Sequence, residues 1–277
     1  MKKPFSKIYI TLILMFLYIP IFVLIVFSFN VSKSRANWTG FTFDWYIKLF
    51  HNRQIMSALF NTVIVAIFSS VLATLLGTAA AVGIHFMKKV PKAIAMNITY
   101  IPIINPEIIT GVSLMLLFRI FSDAFGFKFG FVSLILAHIT FNVPYVIYSV
   151  MPKLRQMNPY LLEAARDLGC NERQAFLKVA VPEIFPGIIS GFLMALTFSI
   201  DDFVVSYFTS GTSVETLPIT ISAMTRKKVS PEINALSAII FVVVLGILII
   251  KNIIDGKNAK REAKNNRAVS FLPKGEL

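Results

Sequence analysis

Three acidic side chains stand inside apolar runs of this sequence. Asp201 and Asp202 interrupt the stretch from Thr197 to Tyr207, and Glu107 follows Pro106 in another. An ionised carboxylate in hydrocarbon costs about 2.5–3.5 kcal/mol on insertion scales, so such a residue faces a cavity, a cation or a partner. Acids beside aromatic rings suit an organic cation, and Phe203, Tyr207 and Trp45 carry faces for cation–π attraction. Successive residues on a helix point about 100° apart, so one carboxylate of the Asp201/Asp202 pair is expected to line a pathway. The competing role is structural, with a carboxylate taken up by an arginine or a freed backbone N–H. No other constellation points to catalysis. There is no G-x-S-x-G, no H-E-x-x-H and no phosphate-binding G-x-x-x-x-G-K motif. The histidines, His51, His85 and His138, are too scattered for metal-ligand spacing, and a single cysteine, Cys170, excludes an internal disulfide.

A second group of residues is built for contact. Lys153 to Pro186 is the longest polar interruption in the chain and reads as helix, turn, helix. Asn158 is placed as an N-cap with Pro159 behind it. Gly169 stops the first helix by accepting a left-handed conformation. Asn171 and Gln174 have capping-box spacing for the second helix, which Pro182 is expected to end. The result is an amphipathic elbow.

The elements that must position these residues are membrane spans. Of 277 residues, 56% are hydrophobic and 15% charged, against about 45–50% and about 25% for soluble domains. Mean hydropathy is +0.73. The apolar residues fall in runs near the roughly twenty residues a bilayer crossing needs, without the alternation of a barrel. An all-α integral membrane fold is expected, with six spans at about 8–29, 60–86, 95–120, 131–150, 187–207 and 235–254. The elbow 153–186 lies between the fourth and fifth spans. A charged tail, 255–277, is expected to lack regular structure. Asp201 then sits about 21 Å along the fifth span, in the outer half of a core about 30 Å thick.

The net charge of +13 does not mark a nucleic-acid protein, because the basic residues flank the spans. With the N-terminus inside, 18 Lys and Arg lie on the inner side and 9 on the outer. The positive-inside rule thus places both termini and the elbow in the cytoplasm. Trp45 and Tyr46 suit the outer membrane–water interface and are expected to belong to a docking surface there. Gly187 and Gly191 have the G-x-x-x-G spacing of close helix packing.

The elbow also carries a family resemblance. Glu163-Ala164-Ala165, three residues, Gly169, nine residues, then Val179-x-Val181-Pro182 resembles the EAA signature of importer-type ABC permeases, with valines for the usual Ile and Leu. The stretches NPEIITGVSLM (Asn105–Met115), TFSIDDFVVSYFTSG (Thr197–Gly211) and TLPITISAMTRKKVSPEINALS (Thr216–Ser237) are similar to permeases of spermidine/putrescine importers. The resemblance implies a MetI-like permease fold in a bacterial inner membrane, paired with a second permease subunit. Two ATPase subunits that bind the ATP and an extracytoplasmic polyamine-binding protein are implied with it, and this chain itself needs no cofactor. It gives Glu163, Ala164, Ala165, Gly169 and Pro182 the role of coupling to the ATPase. Asp201, Asp202, Glu107, Phe203 and Tyr207 become pathway residues. The same architecture with another solute and an ion-coupled secondary transporter stay open on the sequence.

Overall fold

The computed structural model describes residues 3–32, 37–226 and 231–270. Those residues form helices α1 (Lys3–Phe27), α2 (Asp44–His51), α3 (Arg53–Phe86), α4 (Lys89–Ile104), α5 (Glu107–Phe125) and α6 (Phe131–Gln156). They continue as α7 (Tyr160–Asp167), α8 (Glu172–Ala175), a π-helical turn (Phe176–Ala180), α9 (Val181–Asp201), α10 (Val204–Thr209), α11 (Leu217–Arg226) and α12 (Pro231–Ser270). The one extended pairing among the described residues is an antiparallel bridge between Asn30 and Phe41. Six segments are long and apolar enough to cross a bilayer: Ile8–Phe27, Arg53–Phe86, Glu107–Phe125, Phe131–Gln156, Glu172–Asp201 and Pro231–Ile250. The all-α, six-span expectation holds.

Two spans differ from the reading of the sequence. The segment expected at 95–120 is two helices, α4 and α5, separated at Asn105 and Pro106, both of which are extended. Pro106 has no N–H to continue α4, and it forces the residue before it out of helical geometry. Glu107 consequently opens α5 as the first residue of that span rather than sitting in its middle. The segment expected at 187–207 ends at Asp201, where Asp202 turns extended and α10 starts anew.

The spans also begin earlier than apolar content alone indicates. Asn52 Oδ1 accepts the N–H groups of Gln54 and Ile55 at 3.1 and 3.3 Å, so α3 starts at Arg53. At its far end, α12 runs through the charged tail as far as Ser270, over a sequence rich in the helix formers Lys, Ala, Glu and Arg. Residues 271–277 of that tail lie outside the described residues.

The chain divides into two compact units. The first comprises residues 1–61 and 215–246, with a core of Trp45, Leu49, Ile55, Ala58, Leu217, Ala235 and Leu236. The second comprises residues 62–214 and 247–277 and carries the elbow and Asp201. Its core is the seam of α6 and α9, where Val146, Val150, Leu154, Ile184 and Ala195 are buried together. Gly187 and Gly191 make that seam possible. A Cβ at Gly187 would lie 3.0 Å from the Ser149 carbonyl oxygen, and one at Gly191 3.3 Å from Val146 Cα. Backbone approach of this kind is what small residues give membrane helices.

Candidate functional site

The fifth span ends in a break that separates the two aspartates. Asp202 takes φ −63° and ψ 120°, so the chain leaves α9 and re-enters helix at Val204. Asp202 is buried, at 7% exposure. Its Oδ1 accepts the Val205 N–H at 3.2 Å and its Oδ2 accepts the Ser206 N–H at 2.7 Å. The carboxylate therefore satisfies donors that the start of α10 leaves without intrahelical partners. Asp201, one residue earlier, is exposed. Of the two acids, only Asp201 has a carboxylate open to an incoming charge.

Around Asp201 the second unit gathers acid and aromatic groups. Glu107, exposed, opens α5 one turn before Gly111. The ring of Tyr145 on α6 lies 4.6 Å from that of Phe198 on α9. Phe203 and Tyr207, one turn apart on the far side of the break, have ring centroids 5.5 Å apart and planes tilted by 34°, with Tyr207 exposed. Gly111 holds α5 close to this region, because a Cβ there would lie 3.4 Å from the Val204 carbonyl oxygen. The arrangement can stabilise a cation in two ways, by carboxylate charge and by ring faces.

Behind this face runs a buried polar stripe that the sequence reading passed over. His138 on α6 is fully buried, with Nε2 at 3.0 Å from Ser206 Oγ and 3.5 Å from Asp202 Oδ2. One turn on, Asn142 Nδ2 donates to Ser199 Oγ at 2.8 Å, and Ser199 Oγ lies 3.2 Å from Ser69 Oγ on α3. The available signal was the spacing of His138 and Asn142, four residues apart in an otherwise apolar run, hence on one helix face.

The elbow forms as its punctuation implies. Asn158 Oδ1 accepts the Tyr160 N–H at 3.0 Å. Gly169, at φ +84°, ends α7 in a Schellman turn: Cys170 N–H donates to Ala165 O at 3.0 Å and Gly169 N–H to Arg166 O at 2.8 Å. Asn171 and Gln174 exchange side-chain to backbone bonds at 2.9 and 3.1 Å, a complete capping box. Glu163, Ala164 and Gly169 are exposed along the elbow, whereas Ala165 is buried and seats α7. Pro182 does not end the second helix. The π-helical turn just before it carries the Val181 N–H to Phe176 O, and the widened ladder lets the helix run on through Pro182 into α9.

Trp45 is not a surface residue. It is 5% exposed in the core of the first unit, and its Nε1 donates to Asn30 O at 2.6 Å. The interfacial role expected of it is taken out of reach by that burial. Tyr46 is half-buried, with its hydroxyl 2.7 Å from Ser28 Oγ.

Six helices long and apolar enough to cross a bilayer, with a polar elbow between two of them, define a multi-pass membrane protein. Residues 73–261 match the family model of binding-protein-dependent transport system inner membrane components. The chain belongs to that family and is a permease subunit of the inner membrane. It is 37% identical over 243 residues to the spermidine/putrescine transport system permease protein PotC of Haemophilus influenzae, covering 88% of this chain and 93% of that protein. It is also 37% identical to the putrescine transport system permease protein PotI of Escherichia coli, covering 86% of each. Among solved structures, a bacterial ABC transporter that imports the acidic polysaccharide alginate superposes with a TM-score of 0.68 at 16% identity, over 92% of this chain and 94% of that one. That likeness shows the fold.

Proposed function

We propose that this chain is the permease subunit of a polyamine importer, with Asp201 as the acid that meets the cargo. The observation that carries the reading is the exposed Asp201 at the end of α9, with Phe203 and Tyr207 across the break and Glu107 opening the helix that packs on α10. A protonated diamine or triamine offers separated positive charges joined by methylene chain, which complements separated acids joined by rings. The relatives named for spermidine and putrescine support the same cargo. Because an importer of an acidic polysaccharide has this fold, the face rather than the fold selects the cargo.

The elbow is the device that receives work from ATP. Glu163 and Ala164 are its contact residues and Gly169 its turn, pressed into an ATPase partner that binds the nucleotide, so this chain needs no cofactor. The positive-inside count supports a cytoplasmic elbow and cytoplasmic termini. A second permease subunit completes the pathway, two ATPase subunits lie below, and an extracytoplasmic binding protein delivers the polyamine from above. Closure of the ATPases moves the elbow, and the continuous Glu172–Asp201 helix carries that movement to the acid at its other end.

The test is uptake by the reconstituted complex offered a panel of labelled amines, with the native chain and with Asp201→Asn. Spermidine or putrescine uptake is expected in the native complex, falling about tenfold or more in the variant with ATPase subunits still bound. No amine uptake by the native complex, or equal uptake by the variant, overturns the reading.

A further inference from the structure

We infer that His138 is a positioning residue for translocation: it clamps the α9–α10 break through Asp202 and Ser206, and so sets how Asp201, Phe203 and Tyr207 are presented to the cation. This deepens the polyamine reading and rests on it.

The argument starts from the break. If α9 continued past Asp201, Phe203 and Tyr207 would follow the helical rotation of about 100° per residue. The extended Asp202 resets that rotation, so the aromatic pair stands where α10, not α9, puts it. What fixes α10 is therefore what fixes the pair. Its own length gives little help, since a six-residue helix has barely more than one turn of backbone bonds.

Two connections supply the rest. Asp202 caps α10 from within the chain, and His138 ties that cap to α6. Nε2 lies 3.0 Å from Ser206 Oγ on α10 and 3.5 Å from Oδ2 of Asp202, the residue at the break itself. All three residues are buried, in surroundings where a polar link is strong and an unmade one costly. The second link of the stripe, Asn142 to Ser199, anchors α9 two residues before Asp201. Thus α6 holds the chain on both sides of the open acid, and His138 holds the side that carries the aromatics. His138 Nδ1 has no hydrogen-bond partner among the described residues, so the ring's polar contacts all lie on the clamp side.

A residue that merely fills space would be replaceable by an apolar side chain of like size. A clamp would not. The test is a cycle of His138→Leu, Asp201→Asn and the double variant in the reconstituted complex, measuring labelled spermidine uptake and ATPase retention on affinity purification. His138→Leu is expected to lower uptake about tenfold or more with ATPase retained, because small misplacements of a site are costly in rate. His138→Gln, which keeps a donor at a similar reach, is expected to recover most of that loss. Since His138 acts through the presentation of Asp201, the double variant should be little worse than Asp201→Asn alone. Native-level uptake in His138→Leu, losses that multiply in the double variant, or failure of both the Leu and Gln variants to assemble each overturns the inference. The last outcome would make His138 a fold-holding residue only. If the native complex itself takes up no polyamine, the failure lies with the cargo and not with the clamp.

Discussion

Asp201 and Asp202 are consecutive in the chain and opposite in environment: the first is exposed, while the second is 7% exposed with both carboxylate oxygens on backbone N–H groups of α10. The pair should therefore separate stability from transport. Asp202→Ala removes a helix cap and leaves two buried donors short of a partner. It is expected to destabilise by about 1–2 kcal/mol. Asp201→Ala removes an exposed group, and its effect on stability should stay within about 0.5 kcal/mol. Thermal unfolding of the purified chain in detergent measures both, and equal shifts would contradict the assignment of roles.

Gly187 is the tightest point of the α6–α9 seam that has backbone on the other side. Gly187→Leu is expected to force the helices apart and cost about 1–3 kcal/mol by overpacking. Gly83→Ala, on α3 with no atom within 4 Å of the added Cβ, should be neutral or slightly stabilising. Melting temperatures of the two variants side by side test this, and a neutral Gly187→Leu would count against the seam.

These predictions draw on parts of the molecule that the sequence disclosed unequally. The elbow was legible almost residue by residue, since Asn158, Gly169, Asn171 and Gln174 act through bonds to their own neighbours in the chain. The number of spans was legible because burial in a bilayer needs a length of apolar residues and little else. Where spans stop was less so. Pro106 was visible as an interruption but not as a full separation of α4 from α5, and nothing local marked the break at Asp202. At that break Asp202 meets His138, 64 positions earlier, a tertiary contact that no local pattern reveals. Trp45 was misplaced for the same reason. An aromatic in a short helix between spans fits an interface or a core equally well, and packing with Leu217 and Leu236, far along the chain, decides for the core.

Trp45 gives a prediction of its own. Trp45→Phe keeps most of the buried ring and loses the Nε1 bond to Asn30 O, at a cost of about 1 kcal/mol. Trp45→Ala opens the core of the first unit and is expected to cost about 3–5 kcal/mol. Both should act on stability. At a temperature where the Phe variant is folded, its capture by immobilised substrate-loaded binding protein should match the native complex. A selective loss of capture in Trp45→Phe, with melting unchanged, would return Trp45 to the docking surface.

Gly169 tests the elbow by backbone strain alone. A Cβ there meets no atom within 4 Å, yet φ is +84°, where a side-chain-bearing residue is strained by about 1–2 kcal/mol. Gly169→Val should disfavour the Schellman turn and misdirect α8 relative to α7 without touching the seam of α6 and α9. Gly169→Asn should be milder, because Asn tolerates the left-handed region. The expected outcome is that the Val variant assembles as a membrane subunit but transports less polyamine per ATP hydrolysed, with Asn in between. Stoichiometry of uptake to phosphate release in proteoliposomes measures this ratio. A native ratio in Gly169→Val would mean that the shape of the turn does not transmit the proposed ATPase stroke, and would move the proposed coupling role to the exposed Glu163 and Ala164.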